Sequence, residues 1–520
     1  MSAGPRSSPS LRPPGARMGG AALWTTRLDR RSPVSLSRQL AAALRRAISD
    51  GGIPAGARLP STRALAAELG LARSTVVGVF EQLTAEGFIA ARPGSGFFVP
   101  PRPAAHGAAP GNAGGVAMPR PLSRQAALLR TIASTRHGPP RPFELGHNEV
   151  DGRLIMTWKR LASRALSGRS RIDWGYGDHQ GESRLRTAIA EYLAAARGVR
   201  CRPEQIVLTS GTQQGLSLAA RVLLDPGDVA WVEDPCYRAA FDILRAAEAR
   251  IVPVAVDDHG FDVEAAVASG EPAPRLVYAT PSRQYPLGMA MPLTRRLALL
   301  AWAERAGAWI IEDDYESEFQ RPAATLPSLQ GLDRAGRVIY LGTLSKLLFP
   351  SLRLGYAVLP EDLVEPFSAA RHLTDRQSPG LTQAIMTDFI LDGHFARHLR
   401  RMRALYAERQ GFLIDALTRR LDGMIEVRPV ESGMYLTAWL PSRLDDSAVA
   451  AALARIGVVA LPLSSLTLAT RRPPALVLGY AGLSETAIAR AVERMALVLE
   501  AATGLTMMTE AELQTNHLAT

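Results

Sequence analysis

The sequence predicts two bodies of different class, a small and mostly α N-terminal body that ends in a two-stranded ribbon, and a much larger α/β body behind it. Three observations predict this. Apolar residues recur at helical spacing between residues 36 and 83, then give way to short apolar runs split by glycines up to residue 100. Residues 100–121 (PPRPAAHGAAPGNAGGVAMPRP) are rich in Pro, Gly and Ala with no apolar period, as in a linker. From about 142 to 504, helical patterns alternate with short apolar runs, as they do in a single α/β body. The expected boundaries are a basic disordered segment at 1–31, the first body at 32–100, a linker at 101–142, the second body at 143–504 and a tail at 505–520.

Composition narrows the function. With 520 residues and 47% hydrophobic content the chain can bury several cores. Its net charge of +11 is uneven: residues 1–142 hold nineteen arginines against five acids, which leaves −3 for the remainder. A basic front on a faintly acidic body suggests a polyanion-binding module joined to something else. Cys201 and Cys236 are too few for a disulfide scaffold and lack zinc-site spacing, so no metal is expected. No apolar run is long enough for a membrane span, and residues 1–20 lack the apolar stretch of a signal peptide. A cytoplasmic protein with no membrane partner is expected.

In the first body, Leu36, Leu40, Leu44 and Ile48 give one buried face of a helix that Gly51-Gly52 end. Ser61 caps a second short helix with Leu65 and Leu69 inward and Gly70 at its stop. A third helix begins around Arg73. Its apolar positions Val76, Phe80 and Leu83 leave Arg73, Ser74 and Thr75 at the exposed N-terminal end, where a recognition helix meets base edges and phosphates. Phe88-Ile89, the turn Arg92-Pro93-Gly94-Ser95-Gly96 and Phe97-Phe98-Val99 then form a ribbon. This order of helix, helix-turn-helix and wing resembles the winged helix-turn-helix of the GntR family, most closely in LPSTRALAAELGLARSTV and EQLTAEGFIAARPGSGFFV. The resemblance implies a double-stranded DNA operator as partner, with Arg63 and Arg73 as the main contacts and Ser74, Thr75 and Gly96 approaching the backbone.

The second body holds an unusual lysine. Only Lys159 and Lys346 occur among 60 basic residues. The stretch 338–359 (VIYLGTLSKLLFPSLRLGYAVL) reads as a buried strand, a polar turn carrying Lys346, and a second strand, and strand-end loops are where α/β sheets place ligands. An amine that attacks an aldehyde must be neutral part of the time, which lysine can achieve and arginine cannot. Pyridoxal 5′-phosphate is a phosphorylated aldehyde that takes such an amine. Its phosphate needs helix-start amides and a guanidinium, available in Ser210-Gly211-Thr212-Gln213 and Arg353. Its ring nitrogen needs a carboxylate, available at the strand end Ile310-Ile311-Glu312-Asp313-Asp314-Tyr315, and its ring face an aromatic, available in Tyr237. Each piece alone has an ordinary reading: an acidic strand end caps helices or binds metals, Gly-Thr turns are common, and Tyr237 fits a core.

Residues 143–500 resemble fold-type I, class I/II aminotransferases through YGDHQGESRLRTAIAEYL, SGTQQ, EDPCY, TPSRQYPLG, EDDYESEF and LGTLSKLLFPSLRLGY. The two bodies in this order resemble the MocR branch of GntR-type transcriptional regulators. The resemblance implies that Lys346 is the Schiff-base lysine, that Asp313 pairs with the pyridine nitrogen and that Tyr315 bonds the phenolic oxygen. It assigns Ser210, Gly211, Thr212, Gln213, Thr343 and Arg353 to the phosphate and Tyr237 to the ring face. It also implies a head-to-tail homodimer and a regulator that senses pyridoxal phosphate, an amine or an amino acid.

Two features depart from the family pattern. Arg283 stands where many members have histidine, and Tyr285 falls near a family asparagine. No arginine is evident to clamp a substrate carboxylate: Arg471 and Arg472 lie in the right general region, and Gly479-Tyr480-Ala481-Gly482 offers none. The competing reading, a working aminotransferase with a DNA tether, is disfavoured by that gap, because orientation supplies much of the rate in such reactions.

Overall fold

The computed structural model describes residues 28–101, 121–130, 132, 139–169, 174–320, 326–428 and 433–503. Most of the expected N-terminal segment and linker, and the tail at 505–520, lie outside the described residues. The chain divides into two compact units, Met1–Pro121 and Leu122–Thr520. The second unit thus takes in part of the expected 101–142 linker, where Ser123 caps a short helix, Arg124–Leu129. Gln125 ties that helix to the large body by donating to the carbonyl of Ala246.

In the first unit, helix α1 (Leu36–Ser49) buries Leu40, Leu44 and Ile48, and Ser35 accepts from the Arg38 amide at its start. Helix α2 (Thr62–Leu69) starts at Ser61, whose hydroxyl accepts from the Ala64 amide, and stops at Gly70 in the left-handed region. Helix α3 (Arg73–Ala85) buries Val76, Val79, Phe80 and Leu83 against them. Strands β1 (Ala90–Arg92) and β2 (Gly96–Phe98) pair antiparallel, with Arg92 opposite Gly96. Phe88 and Ile89 precede the ribbon because their amides go to the Leu83 carbonyl and close the end of α3. Phe97 fixes the wing to α3 by an edge contact with Phe80, ring centroids 4.9 Å apart.

In the second unit the apolar runs pair into a mixed eight-stranded sheet. In chain order its strands are β3 (Ile206–Thr209), β4 (Val229–Asp234), β5 (Arg250–Asp257), β6 (Gly260–Phe261), β7 (Leu276–Ala279), β8 (Trp309–Asp314), β9 (Val338–Thr343) and β10 (Gly355–Val358). Their spatial order is β3-β10-β9-β8-β7-β4-β5-β6. β9, β8, β7, β4 and β5 run parallel, with helices on both faces burying them, which is why β7, β9 and most of β8 are buried without alternation. β10 is antiparallel to both β9 and β3, so β3 runs the same way as β9. The C-terminal ends of β3, β4, β7, β8 and β9 therefore meet at one edge, and each is followed by a segment the sequence marked for chemistry.

A second, antiparallel sheet is formed by β11 (Glu426–Val427), β12 (Tyr435–Trp439), β13 (Leu461–Pro462) and β14 (Ala475–Gly479), in the order β11-β12-β14-β13. It packs with the helices His394–Leu421 and Glu485–Thr503 into a core that is continuous with one side of the large sheet. Tyr435 and Met434, at the start of β12, are thereby carried to the strand ends of the large sheet. Among the described residues no helix is long and apolar enough to cross a membrane, and no cluster of His, Cys, Asp and Glu could hold a metal.

Candidate functional site

Five strand ends enclose a cavity of about 310 Å³. Lys346, Ser345 and Thr343 reach it from the turn after β9, and Asp313, Tyr315 and Glu316 from the end of β8. Gly211, Thr212 and Gln213 enter from the helix Thr212–Leu223, Tyr237 from the loop after β4, and Thr280 and Tyr285 from the loop after β7. Arg353, Tyr278, Gly146 and Tyr435 also line it. Of the residues the sequence assigned to this site, only Ser210 does not line the cavity. Its amide donates to the Gln214 side chain at 2.8 Å.

Asp313 is buried, and one of its oxygens accepts from the Tyr278 hydroxyl at 2.7 Å. The other, Oδ1, is buried with no partner. Burial pushes this carboxyl up to about 7; the Tyr278 hydrogen bond opposes the rise and the charge of Asp314 adds to it. Burial likewise lowers the Lys346 amine, while the charges of Glu316 and Asp313 act in the opposite direction. A lysine in this state keeps a larger neutral fraction than one in water, which is what an attacking amine needs. Asn148 holds the Lys346 backbone by donating its amide to the Lys346 carbonyl.

The end of the cavity beside Arg353 is built from backbone. Gly211 has φ +119°, a conformation L side chains rarely adopt, and a Cβ there would sit 3.6 Å from an Arg353 guanidinium nitrogen. It starts the helix Thr212–Leu223, whose first amides have no acceptor within the helix and suit an anion. Arg353 itself takes φ +48°, a strained setting for a non-glycine residue. Tyr237 accepts from Gln213 Nε2 at 3.2 Å, and burial pushes its hydroxyl up to about 12. An unpartnered buried carboxylate oxygen, a glycine cradle under a guanidinium and a buried lysine fit the ring nitrogen, phosphate and aldehyde of pyridoxal 5′-phosphate. In this structure the Tyr315 hydroxyl donates to the Arg283 carbonyl at 3.1 Å and shares a 2.6 Å hydrogen bond with the Tyr435 hydroxyl.

Glu316, Tyr435 and Glu233 join the residues expected here, and Arg283, expected only as a departure from the family pattern, finds its partner among them. Glu316 and Arg283 form a buried ion pair with Nε and Oε1 2.5 Å apart, and the Arg283 guanidinium lies 4.7 Å from the Tyr435 ring centroid. Glu233 of β4 accepts from the Thr280 hydroxyl at 2.6 Å and from Gln284 Nε2 at 3.3 Å, which anchors the loop carrying Arg283 and Tyr285. The two arginines considered for a carboxylate clamp do not line the cavity. Arg472 donates to the carbonyls of Asp234 and Val256, and Arg471 is exposed.

Burial of Asp313 is expected to cost stability at neutral pH. A carboxyl whose folded pKa lies above its ordinary value keeps a proton that the unfolded chain has released, so stability falls as pH rises from the usual carboxylate range through about 7. Asp313→Asn is expected to raise the melting temperature of the cofactor-free protein by a few degrees at pH 8 and by less at pH 5. Cofactor loading should weaken at least about tenfold, since asparagine cannot balance a pyridinium charge. Thermal melts at the two pH values and a cofactor titration check both halves.

In the first unit, Arg63 in the first turn of α2 and Arg73 and Ser74 in the first turn of α3 are exposed, and Thr75 is half-buried. Ala72 gives α3 no side-chain cap, which leaves its first amides open to a phosphate, whereas Ser61 caps α2. Gly96, at φ +90°, is exposed at the wing, with Arg58 beside it. The guanidinium carbons of Arg58 and Arg92 lie 6.0 and 4.7 Å from the Phe98 ring centroid and add two wing cations that the sequence reading did not single out.

Fold and site define a DNA-reading module of the winged helix-turn-helix class fused to an aminotransferase-type body. Residues 36–99 match the family described as bacterial regulatory proteins, gntR family, and residues 141–495 match aminotransferase class I and II. The chain is 40% identical over 457 residues to the probable rhizopine catabolism regulatory protein MocR of Rhizobium meliloti, covering 88% of this chain and 92% of that one. It is 30% identical over 410 residues to the pyridoxine biosynthesis transcriptional regulator PdxR of Corynebacterium glutamicum, covering 78% and 84%. Among solved structures, the α-aminoadipate aminotransferase LysN of Thermus thermophilus, complexed with N-(5′-phosphopyridoxyl)-L-leucine, matches with a TM-score of 0.64 and 28% identity over 70% of this chain and 94% of that one. The chain belongs to the MocR-type, GntR-family transcriptional regulators, in which a winged helix-turn-helix is fused to a class I/II aminotransferase-like domain.

Proposed function

We propose that this chain regulates transcription by binding a DNA operator through its first unit and pyridoxal 5′-phosphate, on Lys346, through its second. Its effector is the cofactor itself or a small amine or amino acid. When bound, the cofactor supplies an aldehyde that accepts one amine in exchange for another. Lys346 presents the resident amine, Asp313 Oδ1 accepts from the ring nitrogen, and Tyr237 covers the ring. Gly211, Thr212, Gln213, Thr343 and Arg353 hold the phosphate, with Ser210 behind them, and Tyr315 orients the phenolic side. As in the family, two copies associate head to tail and present two readers to one operator.

The observation that carries this reading is the unpartnered Asp313 oxygen in the same cavity as Lys346, on a chain whose first unit exposes Arg73 at the start of α3. An effector shifts DNA binding only through a difference in affinity between two arrangements of the protein. Fluorescence anisotropy with labelled DNA from upstream of its own gene is expected to give at least about a fivefold change in affinity on adding pyridoxal phosphate, or an amine to the loaded protein. Identical DNA affinity in all three states would overturn the sensing role.

A further inference from the structure

The wall of the cavity facing an incoming ligand is acidic and phenolic. Among the described residues, the basic groups that border it are Lys346 and Arg353, and Arg353 sits against Gly211 at the phosphate end. Glu316 borders the cavity, whereas its partner Arg283 does not. The Arg283 guanidinium is committed elsewhere: Nε faces Glu316 Oε1 at 2.5 Å, Nη2 donates to the Tyr435 carbonyl at 2.9 Å, and the group packs over the Tyr435 ring. It is seated on Gly433, where an added Cβ would come within 2.5 Å of its central carbon. Both partners are almost wholly buried, at 3% and 2% side-chain exposure. On β14, between Arg472 and Tyr480, Val477 is fully buried in an apolar cluster with Tyr435, Leu466 and Leu145.

A carboxylate brought in on an amine would find no guanidinium to pair with on this wall among the described residues, because the Arg283 charge is spent on Glu316. A hydroxyl or ammonium group in the same place would donate to Glu316 and to the phenol oxygens of Tyr285 and Tyr435. We propose that this cavity selects primary amines that carry a hydrogen-bond donor and no carboxylate, amino alcohols or diamines rather than amino acids, with Glu316 setting the choice and Arg283 bracing it. The inference rests on the proposed binding of pyridoxal phosphate at Lys346 and narrows its effector class.

The test uses full-length protein loaded with pyridoxal phosphate and three ligands on one carbon frame: 2-aminopropan-1-ol, 1,2-diaminopropane and alanine. Each is titrated by the near-visible absorbance of the loaded protein and by calorimetry. The amino alcohol and the diamine are expected to act at concentrations at least about tenfold lower than alanine. Alanine acting as well as they do would overturn the selectivity while leaving the cofactor reading intact, whereas a native protein that takes up no cofactor would overturn the reading beneath it. Glu316→Gln is expected to erase the preference, and a preference retained in that variant would remove Glu316 from the role. If the uncompensated Arg283 destabilises that variant, Glu316→Gln combined with Arg283→Gln serves instead, and the native comparison decides the selectivity in either case.

Discussion

Lys346→Ala protein is expected to purify without the near-visible absorbance of bound pyridoxal phosphate and to acquire none when the vitamer is added. After borohydride reduction and digestion, native protein should carry a phosphopyridoxyl group on the peptide containing Lys346, and the variant should carry none. The chain offers an internal control, because its other lysine, Lys159, is exposed on the helix Gly152–Arg164, and Lys159→Ala should load normally. Lys346→Arg keeps the charge but should fail as alanine does, since a guanidinium stays protonated at any working pH and cannot attack an aldehyde. The expected loss is complete because no other described residue lining the cavity supplies an amine: Thr343, Ser345, Tyr237 and Arg353 border the same space without one that can lose its proton. Native protein that leaves no adduct at Lys346 when supplied with the vitamer would sink both the cofactor assignment and the sensing role built on it.

What was legible in the sequence is what is local along the chain. The three helices and the ribbon of the first unit are contiguous, and their caps, Ser61 and Gly70, act on residues at most a few positions away. Lys346, Asp313 and Gly211 were legible because each closes an apolar run, and a parallel sheet brings such ends together whatever its strand order. The Arg283–Glu316 pair was not legible, since it depends on where β12 lies: Tyr435 and Gly433 support it from more than a hundred residues away. Nothing local marks Tyr278 for the site, and its hydroxyl finds Asp313 because β7 and β8 are neighbours in register. Arg472 has a cation's sequence signature but spends it on two backbone carbonyls, a choice only tertiary packing reveals.

Arg73→Ala is expected to remove specific operator binding while leaving cofactor loading unchanged. Arg73 is the first residue of α3, exposed, at a helix start with no side-chain cap to compete for a phosphate. The buried face of α3, with Val76, Val79, Phe80 and Leu83, turns inward, so the first turn projects from the unit without being needed to hold it together. Replacing it should therefore cost little stability, and a melt of the variant should match the native protein. A base-reading arginine accounts for about 1–3 kcal/mol per reader, so two readers on one operator should lose at least about thirtyfold in affinity. Arg63→Ala, at the other main contact, is expected to weaken operator binding too, and salt titrations sort the two arginines: a phosphate contact weakens specific and non-specific DNA alike and lowers the salt dependence by about one ion per reader, whereas a base contact lowers discrimination. Because Lys346 and Asp313 belong to a separate unit, the absorbance of bound cofactor should be the same in native and Arg73→Ala protein. Unchanged affinity of Arg73→Ala for the operator would refute α3 as the recognition helix, and with it the assignment of Ser74 and Thr75 to the same surface.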